Sequence, residues 1–216
     1  MSDQADIVVT AFGARFLTAC DRLLRIEGGY SNDPADRGGA TRYGISLRFL
    51  KAEGKIDLDG DGIADFDLDF DGDIDGADIR KLSRDDARYL YQRCFWRPLD
   101  CDSYPVPLGE ALFDQAVNGG LRAAGKLLQS ALNDLTSVRR SAPGCPAPLK
   151  EDGAIGMRTR AALDWCLQQG GVGMAGVIAA YRRAAADRYR AIVAADPTQQ
   201  RFLRGWLNRA AELGAM

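Results

Sequence analysis

The stretch "RIEGGYSNDPADRGGATRYGIS", residues 25–46, decides how the chain is read. Upstream of it, Phe12, Phe16, Cys20 and Leu23 recur at spacings of four and three, the period of one helix face. Arg15, Thr18, Arg22 and Arg25 form the opposite, polar stripe. A helix is expected over about 10–26. Continuing the apolar stripe from Leu23 by four lands on Glu27, where Gly28 and Gly29 stop the helix. A carboxylate at a core-facing helix end is partly desolvated, which disfavours its charged form and raises its pKa. A general acid working near neutral pH needs that property. Downstream, Asn32-Asp33-Pro34 and Arg37-Gly38-Gly39 are turn signals, so residues 30–45 read as a short β-hairpin or tight loop. Asp36 lies inside it, and Thr41 follows. Taken singly, each residue has a plain structural role: a helix-end carboxylate bonding amides, a turn aspartate, a strand hydroxyl.

Outward from this junction the pattern is helical. A short helix is expected at 46–53, and longer ones at about 78–96, 107–118, 121–135, 157–168, 173–194 and 198–213. Residues 136–148, with three prolines and a glycine, read as a loop or linker. The fold class is mainly α: a helical bundle with one small β-hairpin and an acidic insert.

The chain of 216 residues contains no histidine. That excludes histidine-based triads and histidine-ligated zinc, and leaves acid–base chemistry to Asp, Glu, Lys, Tyr or Cys. Five cysteines, Cys20, Cys94, Cys101, Cys145 and Cys166, form no CxxC pair, and their odd number argues against a complete disulfide framework. A bridge from Cys94 to Cys101 is compatible with the spacing but nothing demands it. No apolar run reaches the length of a membrane span, and the N-terminal residues lack the pattern of a signal peptide. Synthesis in the cytoplasm is the expectation, with no stable membrane insertion.

The net charge of −2 conceals an asymmetry. Residues 57–78, "DLDGDGIADFDLDFDGDIDGAD", hold ten aspartates and no cation, so the rest of the chain carries +8. Such a body suits an anionic partner. Within the run, Asp67, Asp69, Asp71, Gly72, Ile74, Asp75 and Asp78 fit positions one, three, five, six, eight, nine and twelve of an EF-hand loop, with Asp73 ligating through its carbonyl. Calcium is the expected ion, with a structural or regulatory role and none in the chemistry. A second loop is drawn from Asp57, Asp59, Asp61, Gly62 and Asp65, but its twelfth position is Leu68, so a weaker site borrowing Asp67 or Asp69 is expected there.

The combination of Glu27, Asp36 and Thr41 across a helix-to-hairpin junction resembles the phage-type lysozymes. More specifically, "EGGYSNDPADRGGATRYGIS", "LYQRCFWRPLD" and "ALFDQAVNGG" resemble glycoside hydrolase family 108, a family of bacterial and phage N-acetylmuramidases. "LLQSALNDL" and "DGAIGMRTRAAL" resemble the peptidoglycan-binding region that follows its catalytic part. The resemblance implies an α+β lysozyme-like catalytic region over 1–100 and a helical peptidoglycan-binding-like region over 101–216; the calcium-binding insert at 55–80 departs from the family's usual pattern and rests on its own aspartate spacing. It implies cleavage of the bond between N-acetylmuramic acid and N-acetylglucosamine, with Glu27 as acid, Asp36 as second carboxylate and Thr41 orienting water. Tyr30 and Tyr43 are candidates to stack on sugar, or else to brace the hairpin. Asp114 and Asn118, one helical turn apart, are candidates to bond the sugar, or else serve buried structure. The expected partner is bacterial peptidoglycan, not nucleic acid, with action in the periplasm or wall after delivery by a holin or secretion machinery. An immunity protein would guard the producing cell. A lytic transglycosylase, a non-catalytic wall-binding module and a calcium sensor are the competing classes.

Overall fold

The structure, a computed structural model, describes residues 12–26, 29–32, 38–168 and 171–215. Glu27, Gly28 and residues 33–37, which include Asp36, lie outside the described residues. The chain divides between Arg97 and Pro98 into two compact units.

In the first unit, α1 (Ala14–Ile26) buries Phe16, Cys20, Leu23 and Leu24 along the face that the spacing predicts. The Phe16 ring meets Trp96 edge-on at 5.5 Å, a favoured geometry for aromatic quadrupoles. Strands β1 (Thr41–Arg42) and β2 (Ile45–Ser46) pair antiparallel, Thr41 opposite Ser46 and Arg42 opposite Ile45. The turn between them, Tyr43-Gly44, has positive φ at both residues (52° and 75°), the left-handed pair that matches the twist of a tight hairpin. Within the expected 30–45 segment, Ser31 adds a bridge to Thr41 through two backbone hydrogen bonds of 2.8 Å. Ser46 then caps α2 (Leu47–Glu53) by accepting from the Phe49 amide.

The acidic segment follows as irregular loops and leads into α3 (Gly76–Lys81). A single helix over 78–96 is not what forms. Leu82 is extended (φ −44°, ψ 127°), and the Ser83 hydroxyl accepts from the Asp86 amide while the Asp86 carboxylate accepts from the Ser83 amide. This reciprocal cap starts a new helix, α4 (Arg84–Tyr91), which runs into a π-helical turn at Gln92–Trp96. Ile45, Leu50, Ile79, Leu82, Leu90 and Trp96 are all buried in this unit.

The main elements of the second unit, among its described residues, are helices joined by loops: α5 (Leu108–Gly119), α6 (Leu121–Ser137), α7 (Met157–Gln168), α8 (Gly173–Ala195) and α9 (Gln200–Glu212). Helix α6 is central, packing against α5, α7 and α8, and α9 packs on α8. Its stripe Ala124, Leu128, Ala131, Leu132 and Leu135 is buried, at roughly 1.5–3 kcal/mol for each large side chain removed from water. Helix α9 starts at Gln200 rather than 198, because Asp196 accepts from Thr198 and holds a single 3-10 turn at Pro197–Gln199. Among the described residues the architecture is therefore mainly α with one small hairpin. Among the described residues, no helix is long and apolar enough to cross a membrane.

Candidate active site

The hairpin brings Tyr30, Thr41 and Tyr43 into the first unit's surface, with each held differently. Thr41 is pinned by its neighbours on both sides, Ser31 and Ser46, and its hydroxyl donates to the Gly39 carbonyl at 3.2 Å. The Tyr43 carbonyl accepts from the Tyr91 hydroxyl at 2.9 Å, which ties the turn to α4. The Arg42 guanidinium lies 5.1 Å from the Tyr43 ring centroid, and Arg80 of α3 lies 5.5 Å from that of Tyr30. Both contacts have cation–π geometry. Tyr30 remains 41 % exposed. Arg42, Arg80 and Tyr91 are residues that sequence reasoning missed, because their roles come from contacts between elements. Helix α1 is anchored beside this site: Arg88 of α4 donates to Asp21 at 2.6 Å and to Asp85 at 2.7 Å.

The acidic insert forms two loops built alike. In the second, Asp67 accepts from the amides of Asp71 (3.2 Å) and Gly72 (2.9 Å), and Asp78 accepts from those of Leu68 and Asp75 (both 2.6 Å). Gly72 has φ +96°, which lets the backbone turn back onto Asp67. In the first, Asp57 accepts from Gly60 (2.7 Å), Asp61 (3.2 Å) and Gly62 (2.9 Å). There Asp65 accepts from the Leu58 amide, the job Asp78 does for Leu68. The first loop thus closes at its ninth position, and Leu68 is not called on to close it.

The electrostatics of the two loops differ. Amides of Gly62, Gly60 and Asp61 hold the Asp57 carboxyl below the usual carboxylate range. Asp69 is pushed up, first by desolvation and then by the charges of Asp71 and Asp78. Asp67 and Asp78 are buried, at 3 % and 0 % exposure, and the Asp69 Oδ1 atom is buried with no hydrogen-bond partner. The carboxylates of Asp67, Asp69 and Asp71 converge within 4.8 Å, as do those of Asp73, Asp75 and Asp78, and of Asp57, Asp59 and Asp61. Lys81 donates to the Leu68 carbonyl at 3.1 Å. An all-oxygen, acidic donor set with an orphaned buried oxygen fits a hard divalent cation.

In the second unit, Asp114 accepts from Arg209 of α9 at 2.9 Å, and both side chains are largely buried. Asn118, with its amide oxygen turned to Arg209, accepts from Nη1 of the same guanidinium at 3.2 Å. The two polar residues of α5 therefore share one cation that clamps the last helix.

Residues 20–120 match the glycosyl hydrolase 108 family, and residues 123–211 match the family described as a predicted peptidoglycan domain. The chain carries a glycosyl hydrolase 108 domain over residues 20–120. It is a glycoside hydrolase, and peptidoglycan is the polymer on which it acts. The glycosyl hydrolase 108 match includes Thr41, both acidic loops and Asp114 with Asn118. It also runs past the division at Arg97, so residues 98–120 belong to the hydrolase match and to the second compact unit. Among solved structures, Brucella abortus SagA is similar in fold, with a TM-score of 0.65 at 23 % identity, over 93 % of this chain and 92 % of that one. No curated protein matches.

Proposed function

We propose that this hydrolase is an N-acetylmuramidase, cutting the bond between N-acetylmuramic acid and N-acetylglucosamine in the glycan strand. Glu27 protonates the leaving oxygen, Asp36 holds a water as base or stabilises positive charge as an anion, and Thr41 orients the water. The observation that carries this is the family match across the segment containing all three residues. Two further facts support it. Helix α1 buries Phe16, Cys20 and Leu23, and in the sequence the same spacing continued reaches Glu27. Thr41 sits in a strand fixed on both edges, so its hydroxyl has a set position. Tyr30 has more than a third of its surface open, and the face of its ring turned from Arg80 would stack on a sugar.

Zymography on purified peptidoglycan, with mass spectrometry of the products, tests this. Wild type should release muropeptides with free reducing ends, and Glu27→Gln should lose about a hundredfold or more of the rate. Anhydro products would make the chain a lytic transglycosylase. Lysis by Glu27→Gln at the wild-type rate would remove Glu27 from the chemistry.

We also propose that the insert binds calcium. Asp67, Asp69, Asp71, Asp78 and the Asp73 carbonyl would hold one ion, and Asp57, Asp59, Asp61 and Asp65 a weaker one. A bound ion supplies the positive charge that the converging carboxylates lack. The buried, unpartnered Asp69 oxygen supports this reading, and so does the absence of any cation in the ten-aspartate run. Helix α3 begins inside the second loop and carries Arg80 against Tyr30, so ordering the loop orders the hairpin's neighbour. Calorimetric titration and thermal unfolding test it. At calcium a hundredfold above its Kd, the folded state should gain about 2.7 kcal/mol, and chelator should remove the gain. No heat of binding and equal melting in calcium and chelator would end the proposal.

A further inference from the structure

The second unit contains a cavity of about 450 Å³, walled by residues 98–100 with Tyr104, the start of α6, the loop 152–155 and Arg160 of α7. Its polar lining is charged and mixed in sign, with Arg122 and Arg160 facing Asp100 and Asp152. Arg160 is already held, donating to Asp100 at 3.0 Å and to the Ser103 hydroxyl at 2.8 Å, and its guanidinium covers the Tyr104 ring at 4.7 Å. Arg122 differs. Its Nε donates to the Asp152 carbonyl at 3.0 Å, and its two terminal nitrogens have no hydrogen-bond partner among the described residues.

The wall opposite is rigid. Gln129 of α6, only 2 % exposed, accepts from the Gly153 amide at 2.7 Å and donates to the Asp152 carboxylate and the Ala154 carbonyl. Asp152 also accepts from the Ala154 amide at 2.9 Å. Gly153 has φ +86° and lies against the backbone of Arg122, where a Cβ would come within 2.5 Å of the carbonyl oxygen. The loop is thus stapled to the helix whose Arg122 lines the cavity with its two terminal nitrogens spare among the described residues. A fork of this kind suits a carboxylate, which can accept two parallel bonds.

We propose that this cavity receives an acidic or zwitterionic amino-acid residue of the peptide stem of peptidoglycan, its carboxylate meeting Arg122. The inference rests on peptidoglycan being the polymer bound and names the part of it that this unit reads. A bare glycan is disfavoured as occupant because the aromatic lining, Tyr104, is buried with Arg160 over its face and offers no platform for a sugar. An amine on the same stem finds the carboxylates of Asp100 and Asp152 across the cavity. Ile155 and Leu121 supply apolar lining for the aliphatic part of such a residue.

The test uses the full chain carrying Glu27→Gln, so that the polymer stays intact, and measures co-sedimentation with two substrates. One is whole sacculi; the other is sacculi stripped of peptide by an amidase. Retention should be about tenfold weaker on the stripped glycan, the loss expected when a charge-assisted pair goes unmade. Arg122→Gln should lose a similar factor on whole sacculi and none on stripped ones. Ala154→Trp, on the exposed rim, provides a second variant that blocks the opening and should do the same. Equal retention on both substrates, or normal retention by both folded variants, would overturn the proposal. Because the products released by the Glu27-containing enzyme are scored separately, a failed muramidase assignment leaves this result readable.

Discussion

A methyl group on Gly153 would lie 2.5 Å from the Arg122 carbonyl oxygen and 2.6 Å from the Arg122 Cγ, at a φ of +86° that side chains avoid. Strain and steric overlap add at this one position. Gly153→Ala should cost roughly 2–3 kcal/mol, visible as a lowered denaturant midpoint. A wild-type midpoint would mean that the loop can move away from α6 freely. Gly125, facing Gly153 from within α6, has the same cause, and explains a glycine where helix propensity argues against one. The buried thiols give a second test at this scale. Burial pushes Cys20 up to about 12, with the charge of Asp21 adding to it, and raises Cys94 and Cys166 to about 11. Unfolded thiols ionise near pH ~8.5, so from about pH 9 upward the unfolded chain has shed protons that the folded chain keeps. Stability must therefore fall as pH rises through that window. A urea midpoint followed against pH should decline less steeply in Cys20→Ala than in wild type; parallel curves would remove Cys20 from the effect. No disulfide involves any of the five cysteines, so this thiol chemistry is intact.

Elements show where sequence periodicity suffices and where it does not. The stripe Ala124, Leu128, Ala131 and Leu135 announces α6 because one face must be apolar when a helix is surrounded by three others. The stretch 78–96 also scans as one helix, since Ala87, Leu90, Tyr91 and Cys94 keep the period. Yet the chain breaks at Leu82 and restarts at Ser83, where Ser83 and Asp86 exchange hydrogen bonds. The Ser-x-x-Asp spacing was the available signal, a capping box that an unbroken apolar stripe concealed. Ser83→Ala should cost about 1 kcal/mol and loosen the start of α4, measurable as faster hydrogen exchange at the Asp86 and Ala87 amides. Unchanged exchange would show that packing alone sets the break. At the candidate site the same division holds. Thr41, Tyr30 and Tyr43 could be named from their spacing around turn residues, whereas Arg80 reaches Tyr30 from a helix fifty residues on. The closing role of Asp65 in the first acidic loop was hidden for a related reason: the full twelve-residue template points to Leu68, and the backbone closes earlier.

For the whole molecule the governing quantity is charge. The ten aspartates of residues 57–78 bring a chain that is otherwise +8 to a net of −2. Two divalent ions in the insert would turn that −2 into +2 and cancel much of the acidic field beside the hairpin. The peptidoglycan wall and its attached polymers are anionic, so the sign of the net charge decides whether long-range attraction assists or opposes encounter. Co-sedimentation with whole sacculi should accordingly be stronger in calcium than in chelator at low salt. The difference should shrink at high salt, because exposed charges more than a Debye length apart, about 8 Å at physiological ionic strength, are screened. Variants separate the two loops: Asp69→Asn and Asp71→Asn together should abolish most of the calcium effect, while Asp59→Asn should remove the smaller part. A calcium effect that survives high salt at full size would assign it to ordering of the loops rather than to charge. No calcium effect at either salt would leave the basic remainder of the chain as the sole source of attraction to the wall.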